Sequence, residues 1–268
     1  MTPVRWADGA GGFFQIDGRS LEYRCVGPAP DAAPTLVMLH EGLGSLSLWR
    51  DFPDVLAAAT GLGVFAWSRF GYGQSEARPP PWPLDYMEHE ATVALPAVLA
   101  AIGFRRGVLV GHSDGASIVA IHAGAIRHDR IRGLVLIAPH FFTEPGGQAS
   151  IAETAAAFRR GPLRDGLARH HRDADATFLG WSGAWLDPGF AGRWNIEPCI
   201  DRFQAPVLAI QGAEDEYGTL SHIEALERRS PQPVERLILP GCRHSPHREK
   251  AEETVAAIAR FARRVLGP

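Results

Sequence analysis

The segment VLVGHSDGASIVA, residues 108–120, decides the fold, because it places one serine between two glycines where the sequence pattern changes. The residues before Ser113 form a short apolar run that is typical of a buried strand, and the small residues after it suit a helix. Gly111 and Gly115 lack the Cβ atoms that would clash in a sharp turn. We therefore predict a strand, a tight turn and a helix, with the Ser113 hydroxyl lifted clear of the sheet.

The rest of the chain repeats short apolar runs separated by helix-length segments. This alternation predicts parallel strands joined by helical crossovers, that is, a doubly wound and mostly parallel α/β sheet. Alternating polar and apolar residues in 13–26 predict an antiparallel hairpin at a sheet edge. The predicted parallel strands lie at residues 35–40, 64–68, 107–111, 133–138, 206–211 and 236–240, and the predicted helices lie at 47–59, 84–102, 115–127, 220–229 and 250–266.

One connection, residues 141–203, is too long for a plain loop and is rich in aromatic residues. Helix-like stretches at 151–158 and 163–171 predict that it is a helical cap over the carboxyl edge of the sheet, where open α/β sheets bind ligands. The predicted core domain is then residues 1–140 and 204–268. The aromatic rings of the cap either pack it onto the core or line a pocket, and packing is favoured for any single ring. We nominate Trp181 and Trp185 as substrate-binding residues.

The composition excludes several function classes. Among 268 residues, 46% are hydrophobic and the net charge is −3, without a basic cluster that would follow a phosphate backbone, so we expect no nucleic-acid partner. No apolar run approaches the roughly 20 residues that span a bilayer, and no signal peptide precedes the first strand, so we expect no membrane partner and a cytoplasmic location. Three scattered cysteines lack metal-binding spacing. A small-molecule substrate is the expected partner, and a homo-oligomer is left open.

A serine hydroxyl becomes a useful nucleophile only when a base takes its proton, and histidine is the usual base. His244 lies in PGCRHSPHRE, directly after the last predicted strand, where a loop would carry it to the edge beside Ser113. His247 is the alternative, but we expect it to begin the final helix. His140, straight after the strand at 133–138, is a candidate for the pocket wall.

The base needs an acid to accept its second N–H and to stabilise the imidazolium that forms. The stretch AEDE follows the strand at 206–211, and Asp215 is preferred over Glu214 and Glu216 because of its offset after the glycine that ends the strand. Acyl transfer also needs donors for the developing oxyanion. We nominate the backbone N–H groups of Asp114 and of Gly42, which lies in the loop LHEGLGS.

These segments together resemble the α/β-hydrolase superfamily, in its cap-bearing branch of small bacterial esterases and lactonases. LHEGLG resembles the His-Gly oxyanion loop of that family, and SRFGYGQS (residues 68–75) resembles its Asp-x-x-Gly-x-Gly-x-Ser turn. The resemblance implies that Ser113 is the nucleophile, Asp215 the acid and His244 the base, in the chain order expected of the fold. Serine rather than aspartate at the nucleophile position, Ser113, argues against a haloalkane dehalogenase, which needs a carboxylate nucleophile.

Two positions depart from the family pattern. Ser68 stands where the turn usually has aspartate, and Glu41 stands where the oxyanion loop usually has glycine. Glu41 either points away and braces the loop through hydrogen bonds, or it faces the pocket as a substrate-binding residue and repels anions. Bracing is favoured, because a free carboxylate near an oxyanion would work against catalysis. Four basic side chains could meet a substrate carboxylate, but we expect them to be exposed: Arg69, Arg159, Arg160 and His171.

The leading hypothesis is a serine hydrolase that opens an ester, lactone or related acyl bond through an acyl-enzyme. The aromatic cap favours an apolar or aromatic substrate. The same fold also supports hydrolysis of carbon–carbon bonds in ring-cleavage products and cofactor-free perhydrolysis. A different class is a ligand sensor that retains the pocket but turns over slowly. Because the sequence contains no metal cluster and no dinucleotide fingerprint, we expect no metal and no cofactor.

Overall fold

The computed structural model describes residues 4–267, and these form the predicted doubly wound, mostly parallel α/β sheet with helices packed on it. All six predicted parallel strands are present within two residues at each end. The eight strands are β1 (Gly11–Ile16), β2 (Arg19–Val26), β3 (Thr35–Leu39), β4 (Gly63–Trp67), β5 (Gly107–His112), β6 (Ile131–Ile137), β7 (Val207–Gly212) and β8 (Val234–Leu239).

The strand order in the sheet is β1-β2-β4-β3-β5-β6-β7-β8. The hairpin of β1 and β2 is antiparallel and joins β4 in antiparallel fashion, whereas all other neighbours are parallel. Strands β3, β4, β5 and β7 are buried along their whole length, since helices cover both faces. Successive side chains point to opposite faces, so Leu109 joins one core cluster while Val108 and Val110 join the other.

The predicted helices of the core are present, with two irregularities. The segment 47–59 begins with a short 3₁₀ turn, and the segment 84–102 is interrupted by a π-helical turn, Glu90–Ala94. Pro96 follows this turn and cannot donate a backbone hydrogen bond to it, which suits an irregular turn there. The core helices are α1 (Phe52–Thr60), α2 (Tyr86–His89), α3 (Leu95–Ala101), α4 (Asp114–Ala125), α9 (Ser221–Arg229), α10 (Pro246–Glu249) and α11 (Ala251–Leu266).

Residues 141–203, the helical insertion, lie between β6 and β7 and contain α5 (Pro145–Arg159), α6 (Pro162–Ala168), α7 (Ala174–Leu186) and α8 (Glu197–Ile200). The sequence patterns identified α5 and α6 but missed the short α8 and the longer α7. This helix, ADATFLGWSGAWL, is buried on most of its surface and therefore lacks the polar face that marks a surface helix. The assignment of residues 141–203 to a separate cap domain remains our proposal. Across residues 4–267, no helix combines the length and the apolar character needed to cross a membrane.

Candidate active site

Ser113 lies in the turn between β5 and α4, with a φ of 53° that non-glycine residues seldom adopt. The neighbouring glycines allow the backbone to close around it. A Cβ at Gly111 would collide with the Gly115 carbonyl oxygen, and a Cβ at Gly115 would collide with that of Leu39. The two glycines are therefore required by close backbone approach, while the strain of the turn is carried by Ser113 itself.

Ser113, His244 and Asp215 form one continuous chain of hydrogen bonds, although they come from three separate loops. His244 Nε2 lies 2.9 Å from Ser113 Oγ, and His244 Nδ1 lies 2.8 Å from each carboxylate oxygen of Asp215. An ionised carboxylate can only accept, so Nδ1 carries the proton and Nε2 offers its lone pair to the Ser113 hydroxyl. The imidazole is thus in the tautomer that a general base requires.

Several donors hold the Asp215 carboxylate in place. The Gln211 amide donates to it over 2.7 Å, and the Tyr217 and Gly218 backbone N–H groups donate over 2.8 and 3.3 Å. Burial would raise the pKa of Asp215, but the adjacent His244 imidazole outweighs it and brings this pKa to about 2. Burial likewise lowers the pKa of His244, but the Asp215 charge outweighs burial, and the net result is a raised pKa.

The alternative residues lie elsewhere. His247 belongs to the short helix α10, and its ring packs against Trp49 and Phe52, with centroid distances of 4.8 and 5.5 Å. The expectation that His247 begins the final helix was wrong, because a break at Lys250 separates α10 from α11. Glu216 pairs instead with an arginine on the surface, and Glu214 is exposed.

Gly42 and Asp114, nominated as oxyanion donors, line the same pocket as Ser113. In the described part of the chain, neither backbone N–H donates a hydrogen bond to a protein group. Asp114 is the first residue of α4, where backbone N–H groups have no partner within the helix. A Cβ at Gly42 would collide with the Trp181 indole, so the helical insertion packs directly on the oxyanion loop.

The pocket holds about 630 Å³ of empty space, including the solvent at its open mouth. All the nominated site residues except Asp215 line it. Its other wall residues, which the sequence patterns did not single out, include the side chains of Phe142, Glu144, Ile151 and Tyr217. The lining contains three carboxylate side chains and neither lysine nor arginine: Glu41, Gly42, Leu43, Ser113, Asp114, His140, Phe142, Glu144, Gly147, Gln148, Ile151, Trp181, Trp185, Tyr217 and His244.

His140 lies in the pocket wall at the end of β6. Its Nε2 is 3.2 Å from the Tyr217 carbonyl oxygen, which can only accept, so Nε2 carries a proton. Burial, together with the nearby rings of His222 and His244, lowers the pKa of His140 to about 3. His140 is consequently neutral near pH 7 and offers the Nδ1 lone pair as an acceptor.

Glu41 contacts its own loop and also lines the pocket, the two placements that the sequence left as alternatives. Its Oε2 lies 3.3 Å from His112 Nδ1, and its backbone carbonyl accepts the Gly44 N–H over 3.1 Å in a tight turn. A Cβ at Gly44 would collide with the Glu41 carboxylate, which therefore lies folded over its own turn. The side chain is 19% exposed and still forms part of the pocket wall.

Asp114 was nominated only for its backbone N–H, but its side chain also lies at the pocket. The carboxylate accepts a hydrogen bond of 2.5 Å from the Tyr86 hydroxyl, which in turn accepts one of 3.0 Å from the Trp185 indole. Burial raises the pKa of Asp114, although the buried Arg69 guanidinium opposes this rise. Trp185 thus connects the helical insertion to the residue that follows the serine.

The expectation that Arg69 and His171 are exposed was wrong. Arg69 is fully buried, and its Nη2 donates to the carbonyl oxygens of His40 and Glu41 over 3.2 and 3.0 Å. His171 is also buried, and its Nε2 donates to the Leu43 carbonyl oxygen over 3.1 Å. Both side chains therefore hold the backbone of the loop that contains Gly42, a contact that single residues in a sequence do not reveal. Arg159 and Arg160 are exposed as expected.

Ser68, the second departure from the family pattern, is compensated by a neighbouring strand. The Ser68 hydroxyl donates to the Glu22 carboxylate over 2.7 Å and accepts the Leu46 N–H over 2.8 Å. Glu22, from β2, also accepts the Gln74 backbone N–H over 3.0 Å. A carboxylate is thus present at this turn, but it comes from a strand that is distant in the sequence.

Within residues 4–267, no group of three or more His, Cys, Asp or Glu side chains is arranged to hold a metal ion. The three cysteines are free thiols, and two of them are buried. Burial raises the pKa of the Cys25 thiol to about 12, so this thiol is not a nucleophile at neutral pH.

The chain is similar to known proteins along most of its length. A sequence profile of the alpha/beta hydrolase family matches residues 36–258. Alpha/beta hydrolase domain-containing protein 17B of Xenopus tropicalis is 26% identical over 217 residues, which cover 81% of this chain and 62% of that protein. The human protein of the same name is 25% identical over 218 residues, with the same two coverages. The chain thus spans less than two thirds of the length of these curated relatives.

Solved structures share the fold at low identity. A membrane phospholipase A, described as a bacterial virulence factor, superposes with a TM-score of 0.78 at 22% identity, covering 97% of this chain and 87% of that chain. A thermophilic esterase from Thermogutta terrifontis superposes with a TM-score of 0.72 at 20% identity, covering 96% and 99%. These likenesses show a common fold, and the profile match covers most of the sequence. The chain belongs to the alpha/beta hydrolase family.

Proposed function

We propose that this protein is a serine hydrolase that cleaves an ester, lactone or related acyl bond through an acyl-enzyme. Membership of the alpha/beta hydrolase family supports a hydrolase, and the chain of hydrogen bonds from Asp215 through His244 to Ser113 at the pocket carries the proposal. The proposed roles are Ser113 as nucleophile, His244 as general base and then acid, and Asp215 as the group that orients and stabilises the imidazole.

The reaction follows from this geometry in two halves. Ser113 Oγ attacks the carbonyl carbon while His244 Nε2 takes the hydroxyl proton, and the free N–H groups of Gly42 and Asp114 donate to the oxyanion. The bond to the leaving group breaks, and the leaving oxygen receives the proton from His244. Water then gives a proton to His244 and attacks the acyl-enzyme, and the acid departs as the proton returns to Ser113 Oγ.

The pocket favours a neutral, largely apolar substrate. Trp181, Trp185 and Ile151 supply apolar wall area, while the Glu144 carboxylate repels anions. The His222 imidazole, whose Nε2 lies 3.2 Å from Glu144 Oε2, outweighs burial and holds the pKa of Glu144 at about 2, so this wall residue is ionised at neutral pH.

We expect a neutral butyrate ester of p-nitrophenol to show a kcat/KM at least about tenfold higher than the monosuccinate ester of the same phenol, because the second substrate brings a carboxylate among like charges. Initial rates at pH 7 and low ionic strength measure the ratio. Glu144→Gln removes one negative charge from the pocket wall and should bring the ratio of the two kcat/KM values closer to one. Equal rates for the two esters in the wild type would contradict a pocket that selects against anions.

The direct test of the proposed function is labelling with a fluorophosphonate. The activated serine attacks phosphorus, fluoride leaves, and the intact mass rises by one phosphonyl group that peptide mapping should place on Ser113. Ser113→Ala should remain unlabelled. If the folded wild type stays unlabelled, the serine is not activated and a ligand sensor becomes the better interpretation. If labelling occurs, aryl esters, a dienone and peroxide-dependent assays then separate ester hydrolysis from carbon–carbon cleavage and perhydrolysis.

A further inference from the structure

A second chain of contacts runs behind the catalytic residues and uses none of their reacting atoms. His112, which precedes Ser113, is fully buried, and its Nε2 lies 2.7 Å from the backbone carbonyl oxygen of His244. Its Nδ1 lies 3.3 Å from Glu41 Oε2. A single imidazole thus connects the loop that carries the base with the loop that carries the proposed oxyanion donor.

We propose that Glu41 and His112 form a positioning pair in which His112 is protonated on both ring nitrogens and thereby holds these two loops together. The inference rests on the proposed function for its effect on turnover, but not for its protonation state. Neither residue is proposed to touch the reacting atoms. Both act through their neighbours, Glu41 through Gly42 and His112 through His244.

The protonation state follows from counting donors and acceptors. A carbonyl oxygen can only accept, so the 2.7 Å contact with His244 requires a proton on Nε2 of His112. A neutral imidazole with that proton presents a lone pair at Nδ1. The lone pair of an ionised Glu41 carboxylate would then point at the lone pair of Nδ1, and the two would repel each other. One additional proton, placed on Nδ1, converts the repulsion into a charge-assisted hydrogen bond.

The one permanent positive charge at the Glu41 loop, the buried Arg69 guanidinium, donates to the Glu41 backbone carbonyl over 3.0 Å and so leaves the carboxylate to His112. Burial lowers the pKa of His247, whose ring lies 4.7 Å from that of His112, and burial likewise lowers the pKa of His40 beside Glu41, so both are neutral. The catalytic imidazole of His244, 5.2 Å from His112, is paired with Asp215. Burial opposes ionisation of Glu41, yet the His112 contact keeps the pKa of Glu41 well below its usual range, so the carboxylate faces Nδ1 of His112 as an anion.

The pair fixes distances that catalysis needs. Glu41 is covalently joined to Gly42, and its carboxylate is held within its own turn, so a shift of the carboxylate shifts the Gly42 N–H. The His244 carbonyl is one bond from the Cα atom that bears the base. Loss of the contact would free both loops to shift, and turnover would fall because misplacement of reacting groups is costly.

The test of the protonation state is ¹⁵N NMR of protein labelled at histidine, recorded at pH 7. We expect both nitrogens of His112 to be protonated, a signal that is absent from His112→Asn and converted to a single Nε2–H in Glu41→Gln, whose amide can donate to the Nδ1 lone pair. A singly protonated His112 in the wild type would overturn the proposal. This measurement needs no substrate, so it stands even if fluorophosphonate labelling disproves the proposed activity.

Kinetics on a neutral ester test the positioning role. Glu41→Ala, which removes the contact, should lower kcat about tenfold while KM changes less than twofold. Glu41→Gln, which retains a neutral contact, should keep kcat within about threefold of wild type. Glu253→Gln, on the exposed side of α11, is the matched control and should behave as wild type. Full activity in a folded Glu41→Ala protein, or a Glu41→Gln protein as impaired as Glu41→Ala, would refute the role.

Discussion

Ser113→Ala is expected to lower kcat/KM for ester hydrolysis by at least about 10⁴-fold, because the only hydroxyl hydrogen-bonded to His244 Nε2 in the described chain is that of Ser113. The fold should survive, since alanine removes one oxygen and the strained backbone is determined by the surrounding turn. Initial rates with an aryl ester, together with a thermal melt, measure both effects. Residual hydrolysis above the uncatalysed rate would come from the oxyanion donors and substrate binding alone.

The matched control for this variant is Ser221→Ala. Ser221 is exposed at the start of α9, away from the pocket, and its loss should leave kcat/KM unchanged. Both proteins must be free of host esterases, which active-site titration of the preparation detects. A Ser113→Ala protein that is folded and retains a tenth of wild-type activity would show that another group is the nucleophile.

Asp215→Asn is expected to lower kcat/KM by about 10⁴-fold near neutral pH. The amide cannot accept the His244 Nδ1–H with the strength of a carboxylate, and its NH₂ group favours the tautomer in which Nε2 carries the proton. That tautomer cannot take the proton of Ser113. Rates of aryl ester hydrolysis measure the loss, and Glu214→Gln, an exposed acid one residue earlier, is the control that should remain active.

The pH profile of kcat/KM provides a second test of the contact between Asp215 and His244. His244 must be neutral to act as base, so kcat/KM should rise with pH as this residue loses its proton. Asp215 raises the pKa of His244, so the midpoint should lie above the ordinary histidine value of about 6.5. In Asp215→Asn the burial that lowers the pKa remains and the charge that raises it is gone, so the midpoint should move to lower pH. An unmoved midpoint would mean that a group other than His244 controls the rise of kcat/KM with pH.

Much of the fold was predictable because it depends on local patterns. Strands such as β3 and β5 are continuous apolar runs, since they are covered on both faces. The glycines that flank Ser113 indicate the turn between β5 and α4. Helix α7 was not predictable in the same way. Its sequence carries two glycines and is apolar on all sides, and only burial between the core and the other helices of the insertion explains it.

The candidate site was likewise predictable only where it depends on local sequence patterns. Ser113, Asp215 and His244 were identified because each follows a strand whose carboxyl end must reach one edge of the sheet. The buried side chains that contact the neighbouring loops were not identified. Arg69 was expected at the surface, yet it is buried because its guanidinium finds the carbonyl oxygens of the oxyanion loop.

The sequence by itself determined the order of strands and helices, the turn that lifts Ser113 and the chain order of the three central residues, because these depend on hydrophobic period and on residues close in the chain. Only the tertiary structure decided which partners meet across long separations. Glu22 supplies a carboxylate beside Ser68, and Glu41 contacts His112 while lining the pocket. The physical reason is that hydrogen bonds and burial depend on distances in space, which neither composition nor spacing encodes.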